Sequence, residues 1–214
     1  AKTWNDNKKS VPCYHIYPYN DNKMFKYNIK EIVMLYFAFD LSFTGTGICL
    51  LDDAEKKITF WQVKTTLDKR KTFESIQRGI TTILQGIENI LTSYEHEGMK
   101  IVMEQPFVGG CWSAGLYGLD SAFFQRWRNF IKKTYHTTTL KKVLGKQKKK
   151  DSLNLAHAII ADLEHCGWRT TTPTTKLTDD QAEALIYNTL FHIEEKHSDF
   201  IEMYDTLNCS KIIK

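Results

Sequence analysis

Residues 32–53 read IVMLYFAFDLSFTGTGICLLDD, and this stretch decides the fold. Residues 32–39 are apolar without a break up to Asp40, the pattern of a strand buried on both faces. Residues 42–47, rich in Ser, Thr and Gly, then turn the chain, and a second strand begins over 47–51. Asp52 and Asp53 mark the turn into a third strand, ITFWQVK at 58–64. Three antiparallel strands are expected, with Asp40 ending the first so that its carboxylate projects from the sheet into a cleft. Gly45 and Gly47 are expected to turn the chain tightly and to keep the space beside that carboxylate open to a bulky ligand. For Asp40 taken alone, the ordinary alternative is a turn residue capping a hairpin.

Beyond these strands, Phe73, Ile76, Ile80, Ile83, Leu84, Ile87, Ile90 and Leu91 form an i, i+3, i+4, i+7 stripe, which predicts an amphipathic helix over 72–94. A short strand over 100–103 ends at Glu104, followed by Gln105, Pro106 and Phe107. After the Gly-rich loop GGCWSAG at 109–115 come a helix over 116–132 and a strand over 135–140. A lysine-rich loop leads to a helix from Ser152, capped by Asp151 or Ser152, to Cys166 before Gly167. Thr178 or Asp179 caps a last helix that runs to about residue 195, with Asp179 favoured as the cap. The expected order is three strands, helix, strand, helix, strand, helix, helix, an α/β arrangement.

A chain of 214 residues builds one sizeable core, so a single domain over 34–196 is expected, with a tail over 197–214. Residues 1–33, rich in Asn, Lys and Tyr, carry no sustained period and read as a loosely ordered extension; Met34 is a place where a natural chain could begin.

The net charge of +4 says little, but its distribution says more. Residues 121–150 contain ten Lys or Arg and no Asp or Glu, whereas 179–205 is acidic apart from Lys196. Such segregation is the pattern of a binding face for an anionic partner. The five cysteines are odd in number and lack a C-x-x-C pair, which argues against a disulfide framework and for a reducing compartment. The histidines form no evident ligand set in the sequence, and no apolar run approaches the roughly 20 residues that span a bilayer.

The chemistry lies with Asp40, Glu104, Asp180 and Glu183. Two strand-end acids on neighbouring strands would share one sheet end. Asp180 and Glu183, three residues apart on a helix, lie on one face and can reach one ion together. Acids gathered from distant segments are how a protein holds divalent metal for phosphate chemistry. Each alone has a plainer reading, a solvated strand boundary or an acidic helix start that suits the dipole.

Taken together, FDLSFTGTG with Asp40, VMEQPF with Glu104 and DQAEA with Asp180 and Glu183 resemble the RuvC-type Holliday junction resolvases of the ribonuclease H-like superfamily, especially the phage-encoded branch. The resemblance spans about residues 35–191. It departs from the cellular enzymes in Leu41-Ser42, where they have Pro-Gly, and in Glu183, where Asp is commoner. It implies a ribonuclease H-like fold, a mixed five-stranded sheet flanked by helices. The implied activity is metal-dependent endonucleolytic cleavage of four-way junctions, forks and other branched DNA. Two Mg²⁺ or Mn²⁺ ions would be held by Asp40, Glu104, Asp180 and Glu183, and a homodimer would place two such sites on opposite strands. Phe107 matches a side chain that stacks near the junction centre; packing in the core is its alternative. Lys141, Lys142, Lys146, Lys148, Lys149 and Lys150 match a basic segment that contacts phosphates. A phage-encoded member would work in its bacterial host's cytoplasm. Other readings are a related nuclease for RNA–DNA hybrids or flaps, and a branched-DNA binding module with structural acids.

Overall fold

The structure, a computed structural model, describes residues 34–43, 45–65, 72–94, 98–105, 113–144, 150–195, 197 and 200. The chain divides into two units, Ala1–Glu31 and Ile32–Lys214, and every described residue belongs to the second. The extension at 1–33 and nearly all of the tail at 197–214 lie outside the described residues.

The elements follow in the order β1 (Leu35–Asp40), β2 (Thr46–Asp52), β3 (Lys57–Val63), α1 (Phe73–Leu91), β4 (Met99–Gln105), α2 (Ser113–Trp127), β5 (Ile131–His136), α3 (Thr137–Leu144), α4 (Lys150–His165), β6 (Arg169–Thr170), a 3-10 turn (Thr174–Lys176) and α5 (Asp179–Glu194). The sheet runs β5-β4-β1-β2-β3-β6. The two hairpin pairings are antiparallel, and β4 joins β1, β5 joins β4 and β6 joins β3 in parallel. The expected mixed sheet is present.

Among the described residues it has six strands rather than five. Helix α4 ends in a Schellman turn, with Trp168 N–H donating to Leu163 O and Gly167 N–H to Glu164 O, and Gly167 takes the positive φ of 86° that this turn needs. The turn buries Trp168 and delivers Arg169 and Thr170 to the edge of β3, a pairing too short to leave a periodic signal.

The strand expected over 135–140 lies over Ile131–His136 instead, because this edge strand exposes Lys132, Lys133 and Thr134 and so shows no apolar run. Residues 137–144 form α3, with Leu140 and Val143 buried one turn apart, so Lys141 and Lys142 belong to a helix and not to the expected lysine-rich loop. Helix α4 starts at Lys150, which makes Ser152 a helical residue rather than a cap.

Helix α1 follows its stripe closely, capped by Thr72. In α2, Phe123 and Trp127 are core residues, and Phe124 is 48% exposed. Alternation in β1 divides the core in two: Leu35, Phe37 and Phe39 pack with Ile83, Ile87, Leu119 and Phe123 of α1 and α2, and Tyr36 and Ala38 pack with residues of α4 and α5. Helices thus cover both faces. Residues 181–193 of α5 are all buried, which is why this helix lacks a polar face.

Gly47 has a different task from the one expected. A Cβ there would collide with the backbone carbonyl of Asp180 and crowd the Gln181 nitrogen, so the missing side chain admits the first turn of α5, not a ligand. We predict that Gly47→Ala, by overpacking this contact, costs about 1–3 kcal/mol. That should appear in thermal melts as a loss of a few °C per kcal/mol, with the acids of α5 displaced from those of the sheet.

Candidate active site

Strand periodicity aims the first two acids. Asp40 continues the Tyr36–Ala38 face of β1, and Glu104 continues the face that Val102 presents to the same core half. Phe39 is in register with Met103 across the parallel pair, so Asp40 and Glu104 stand one residue further along, side by side at one end of the sheet.

Helix α5 supplies the rest. Its N-cap is Thr178, not Asp179: the Thr178 side chain accepts from the Gln181 N–H, and the Gln181 side chain accepts from the Thr178 N–H in a reciprocal capping box. Asp179 is therefore the first helical residue, and Asp180 and Glu183 follow on one face.

Carboxylate oxygens of Asp40, Glu104 and Glu183 lie within 4.8 Å of one another. Asp40 and Glu183 are only 6% and 8% exposed, so charge is concentrated where water screens it poorly. Burial raises the Asp40 carboxyl well above the ordinary carboxylate range. The charges of Glu104 and Glu183, a hydrogen bond with Glu104 and the charge of Asp180 push the same way. Asp180 stands beside this group rather than within it. Its Oδ2 accepts a hydrogen bond from Gln62 Nε2 at 3.2 Å, which ties it toward β3.

An all-oxygen donor set with this charge suits a hard divalent ion such as Mg²⁺ or Mn²⁺, and an ion there would offset both the burial and the neighbouring charges that raise Asp40. Asp40, Glu104 and Glu183 are the residues placed to share one, with Asp180 adjacent.

Three further residues went unrecognised in the sequence. Ser152, in the first turn of α4, donates to Glu183 Oε1 at 3.3 Å and so brings a helix N-terminus to the acids. Gln62 orients Asp180. Tyr187, one turn beyond Glu183 and stacked on Tyr135 at 5.6 Å, has its hydroxyl held protonated, first by burial and then by the charges of Glu104, Asp40 and Glu183. Its i+4 spacing from Glu183 is a signal that the sequence does carry.

Of the expected DNA contacts, Phe107, Lys146, Lys148 and Lys149 lie outside the described residues. Lys142 is exposed on α3, while Lys141 belongs to α3 and Lys150 to the first turn of α4, two residues before Ser152. The basic stretch is also partly neutralised: Arg126 pairs with Glu88 at 3.0 Å and Lys133 with Glu194 at 2.8 Å.

The cysteines that are described, buried Cys49 and exposed Cys166, are free thiols. Among the described residues, no helix is long and apolar enough to cross a membrane. No histidine was expected in a ligand set; the fold brings ligand atoms of Asp53, His192 and His197 within 4.8 Å of one another.

No protein-family model matches the chain, and neither does any curated protein. Among solved structures it is similar to T. thermophilus RuvC in complex with a Holliday junction substrate, at 13% identity and a TM-score of 0.50, over 76% of this chain and 96% of that one. A Thermus thermophilus RuvC structure matches at 14% identity and a TM-score of 0.46, over 76% of this chain and 97% of that one. At 13% identity the first likeness speaks for the fold, and the fold is RuvC-like, of the ribonuclease H-like class.

Proposed function

We propose that the protein is a divalent-metal-dependent endonuclease that cuts branched DNA, four-way junctions foremost, as a homodimer of the phage-like resolvase kind. The observation that carries this reading is the convergence of Asp40, Glu104 and Glu183 within 4.8 Å at one sheet end, with Asp180 adjacent. The RuvC-like fold supports it, as does the basic stretch that leads into α4, whose first turn touches Glu183 through Ser152.

Asp40, Glu104, Asp180 and Glu183 would hold two Mg²⁺ or Mn²⁺ ions, whose charge activates a water and stabilises the departing 3′ oxygen of an in-line displacement. The protein's own groups do the positioning. Ser152 fixes the Glu183 carboxylate, Gln62 fixes Asp180, and the protonated Tyr187 hydroxyl adds no negative charge to a site that must admit a phosphate. Hydrolysis breaks the P–O3′ bond and leaves a 5′ phosphate and a 3′ hydroxyl. The lysines at 141, 142, 146, 148, 149 and 150 would hold backbone phosphates without reading sequence. Phe107 would stack on an unpaired base at the branch.

The direct test is cleavage of a four-way junction, fork, flap, linear duplex and RNA–DNA hybrid in Mg²⁺ and Mn²⁺, with each strand labelled and the mass measured by light scattering. Paired, symmetric nicks on two strands of like polarity by a dimer are expected. Asp40→Asn, Glu104→Gln and Glu183→Gln should each lower the rate by at least about 10³-fold with junction binding kept, because removing negative charge does not weaken phosphate attraction. Preference for the hybrid would move the protein to another nuclease class, and binding without cleavage would make it a binding module.

Lys148, Lys149 and Lys150 replaced together by Ala should weaken binding to every DNA shape. The slope of log K against log salt should fall by roughly 0.9 for each phosphate that the variant no longer neutralises. An unchanged slope would identify these lysines as a solvated face.

The raised Asp40 carboxyl sets a pH dependence for the metal-free protein. Its folded-state value lies above its unfolded one, so its contribution to stability is fully present at pH below the ordinary Asp range and is lost as pH rises through the raised value. Asp40→Asn should therefore raise the melting temperature at neutral pH in chelator, by about 2–4 °C for each kcal/mol of repulsion relieved. Mg²⁺ should stabilise the unaltered chain more strongly as pH rises, and it should have little effect on the variant.

A further inference from the structure

The sheet end opposite the acids carries a second group of ligand atoms. The β1–β2 register pairs Asp40 with Gly47 and Leu35 with Asp52, so the turn after β2, with Asp53, lies at the far end from Asp40. Asp52 Oδ1 accepts the N–H groups of Ala54 and Glu55, both at 3.1 Å, and this holds the turn. His192 stands in the last turn of α5, nine residues beyond Glu183 and thus about 13.5 Å further along the helix. His197 follows α5, its N–H bonded to His192 O at 3.0 Å.

The hydrogen bonding of His192 determines which nitrogen is free. Its Nδ1 is 2.9 Å from the Asn188 carbonyl oxygen, which can only accept, so Nδ1 carries the proton. The other nitrogen, Nε2, belongs to a fully buried ring, has no hydrogen-bond partner among the described residues, and lies 3.5 Å from Asp53 Oδ1. The two atoms face each other without a hydrogen bond, a contact that a positive charge between them would stabilise.

His197 repeats the arrangement. Its Nδ1 is 3.4 Å from Asp53 Oδ2, and its Nε2 is 3.3 Å from the Tyr36 hydroxyl, which can accept the ring proton. Lys100, whose charge acts on His197, is paired with Glu195 at 3.4 Å.

We propose that Asp53, His192 and His197 form a site for a Zn²⁺-class transition-metal ion, separate from the acid cluster. Ligand bonds of about 2.0–2.2 Å in a tetrahedron put ligand atoms about 3.4 Å apart; the two histidines approach different oxygens of Asp53 at 3.5 and 3.4 Å, and one ligand atom from each of the three residues lies within 4.8 Å of the others, so a small inward shift of the side chains closes the set on one ion. Two imidazoles and a carboxylate favour such an ion over Mg²⁺, and three protein ligands leave a fourth position for water. The Asn188 carbonyl is the outer partner that holds a ligating imidazole in its tautomer. The rings of Tyr36 and Phe200, with centroids 4.2 and 4.4 Å from that of His192, wall the site with apolar surface. The ion would pin the chain beyond α5 onto the β2–β3 turn, a structural clamp whose binding energy adds to folding.

The site is independent of the nuclease reading and is tested without a nuclease assay. Metal-stripped full-length protein is held in excess Mg²⁺ to occupy the acid cluster and given micromolar Zn²⁺. It is then gel-filtered and assayed for zinc per chain and for melting temperature. One tightly held Zn²⁺ and a higher melting temperature are expected. Asp53→Asn and His197→Ala should each weaken uptake at least about 10-fold and abolish the thermal gain, while Glu183→Gln retains both. His192→Gln changes a fully buried ring and could unfold the chain, so the two more exposed ligands carry the test. No uptake by the unaltered protein, or uptake by both Asp53→Asn and His197→Ala equal to that of the unaltered protein, overturns the assignment. Loss of zinc only in Glu183→Gln does so too, by placing the ion among the acids.

Discussion

How closely α5 lies against β1 and β2 sets most of what this molecule can do. A helix backbone can approach a strand that tightly only where the strand lacks a Cβ, and Gly47 supplies that gap opposite Asp180. Further along, the Asn188 amide donates to Tyr36 O at 2.7 Å and to Cys49 O at 3.3 Å, stitching the helix to both strands where no water competes. With its position set at these points, the helix presents Asp180 and Glu183 at one sheet end and His192 at the other. Two ligand groups of different chemistry are held by one rigid element.

The acid end is costly to assemble. Asp40 and Glu183 are almost wholly buried beside Glu104, so the fold places like charges where Coulomb repulsion is strong. What tolerates this is local. The N-terminus of α4 arrives with Ser152 against Glu183, Gln62 holds Asp180 aside, and the α5 N-terminus is closed by its own capping box. None of these is a counter-charge. The acids keep a strong attraction for cations while their carboxylates stay oriented.

The opposite end follows a different logic. Aromatic rings and two imidazoles surround the Asp53 carboxylate, and the backbone carbonyl at Asn188 accepts from His192 Nδ1 and so turns Nε2 toward Asp53. Imidazole nitrogen donors at one end and hard oxygen donors at the other would sort metal ions by chemistry rather than by affinity alone.

The sequence by itself determined whatever depends on neighbours along the chain. Uninterrupted apolar runs ending in Asp40 and Glu104 marked two strand ends, the Phe73–Leu91 stripe marked α1, Gly167 marked the end of α4, and the three-residue spacing put Asp180 and Glu183 on one face. Only the tertiary structure decided how closely each of those acids approaches the others. The rotation of α5 on the sheet admits Glu183 to the three-carboxylate group and leaves Asp180 with Gln62. The exposed strand β5, the two-residue strand β6, the contact of Ser152 and the meeting of Asp53 with His192 and His197 left no periodic trace either. The physical reason is the same in each case. Periodicity records which face of an element is buried, whereas the convergence of side chains from distant elements depends on how closely and at what rotation those elements pack, and no local pattern encodes that.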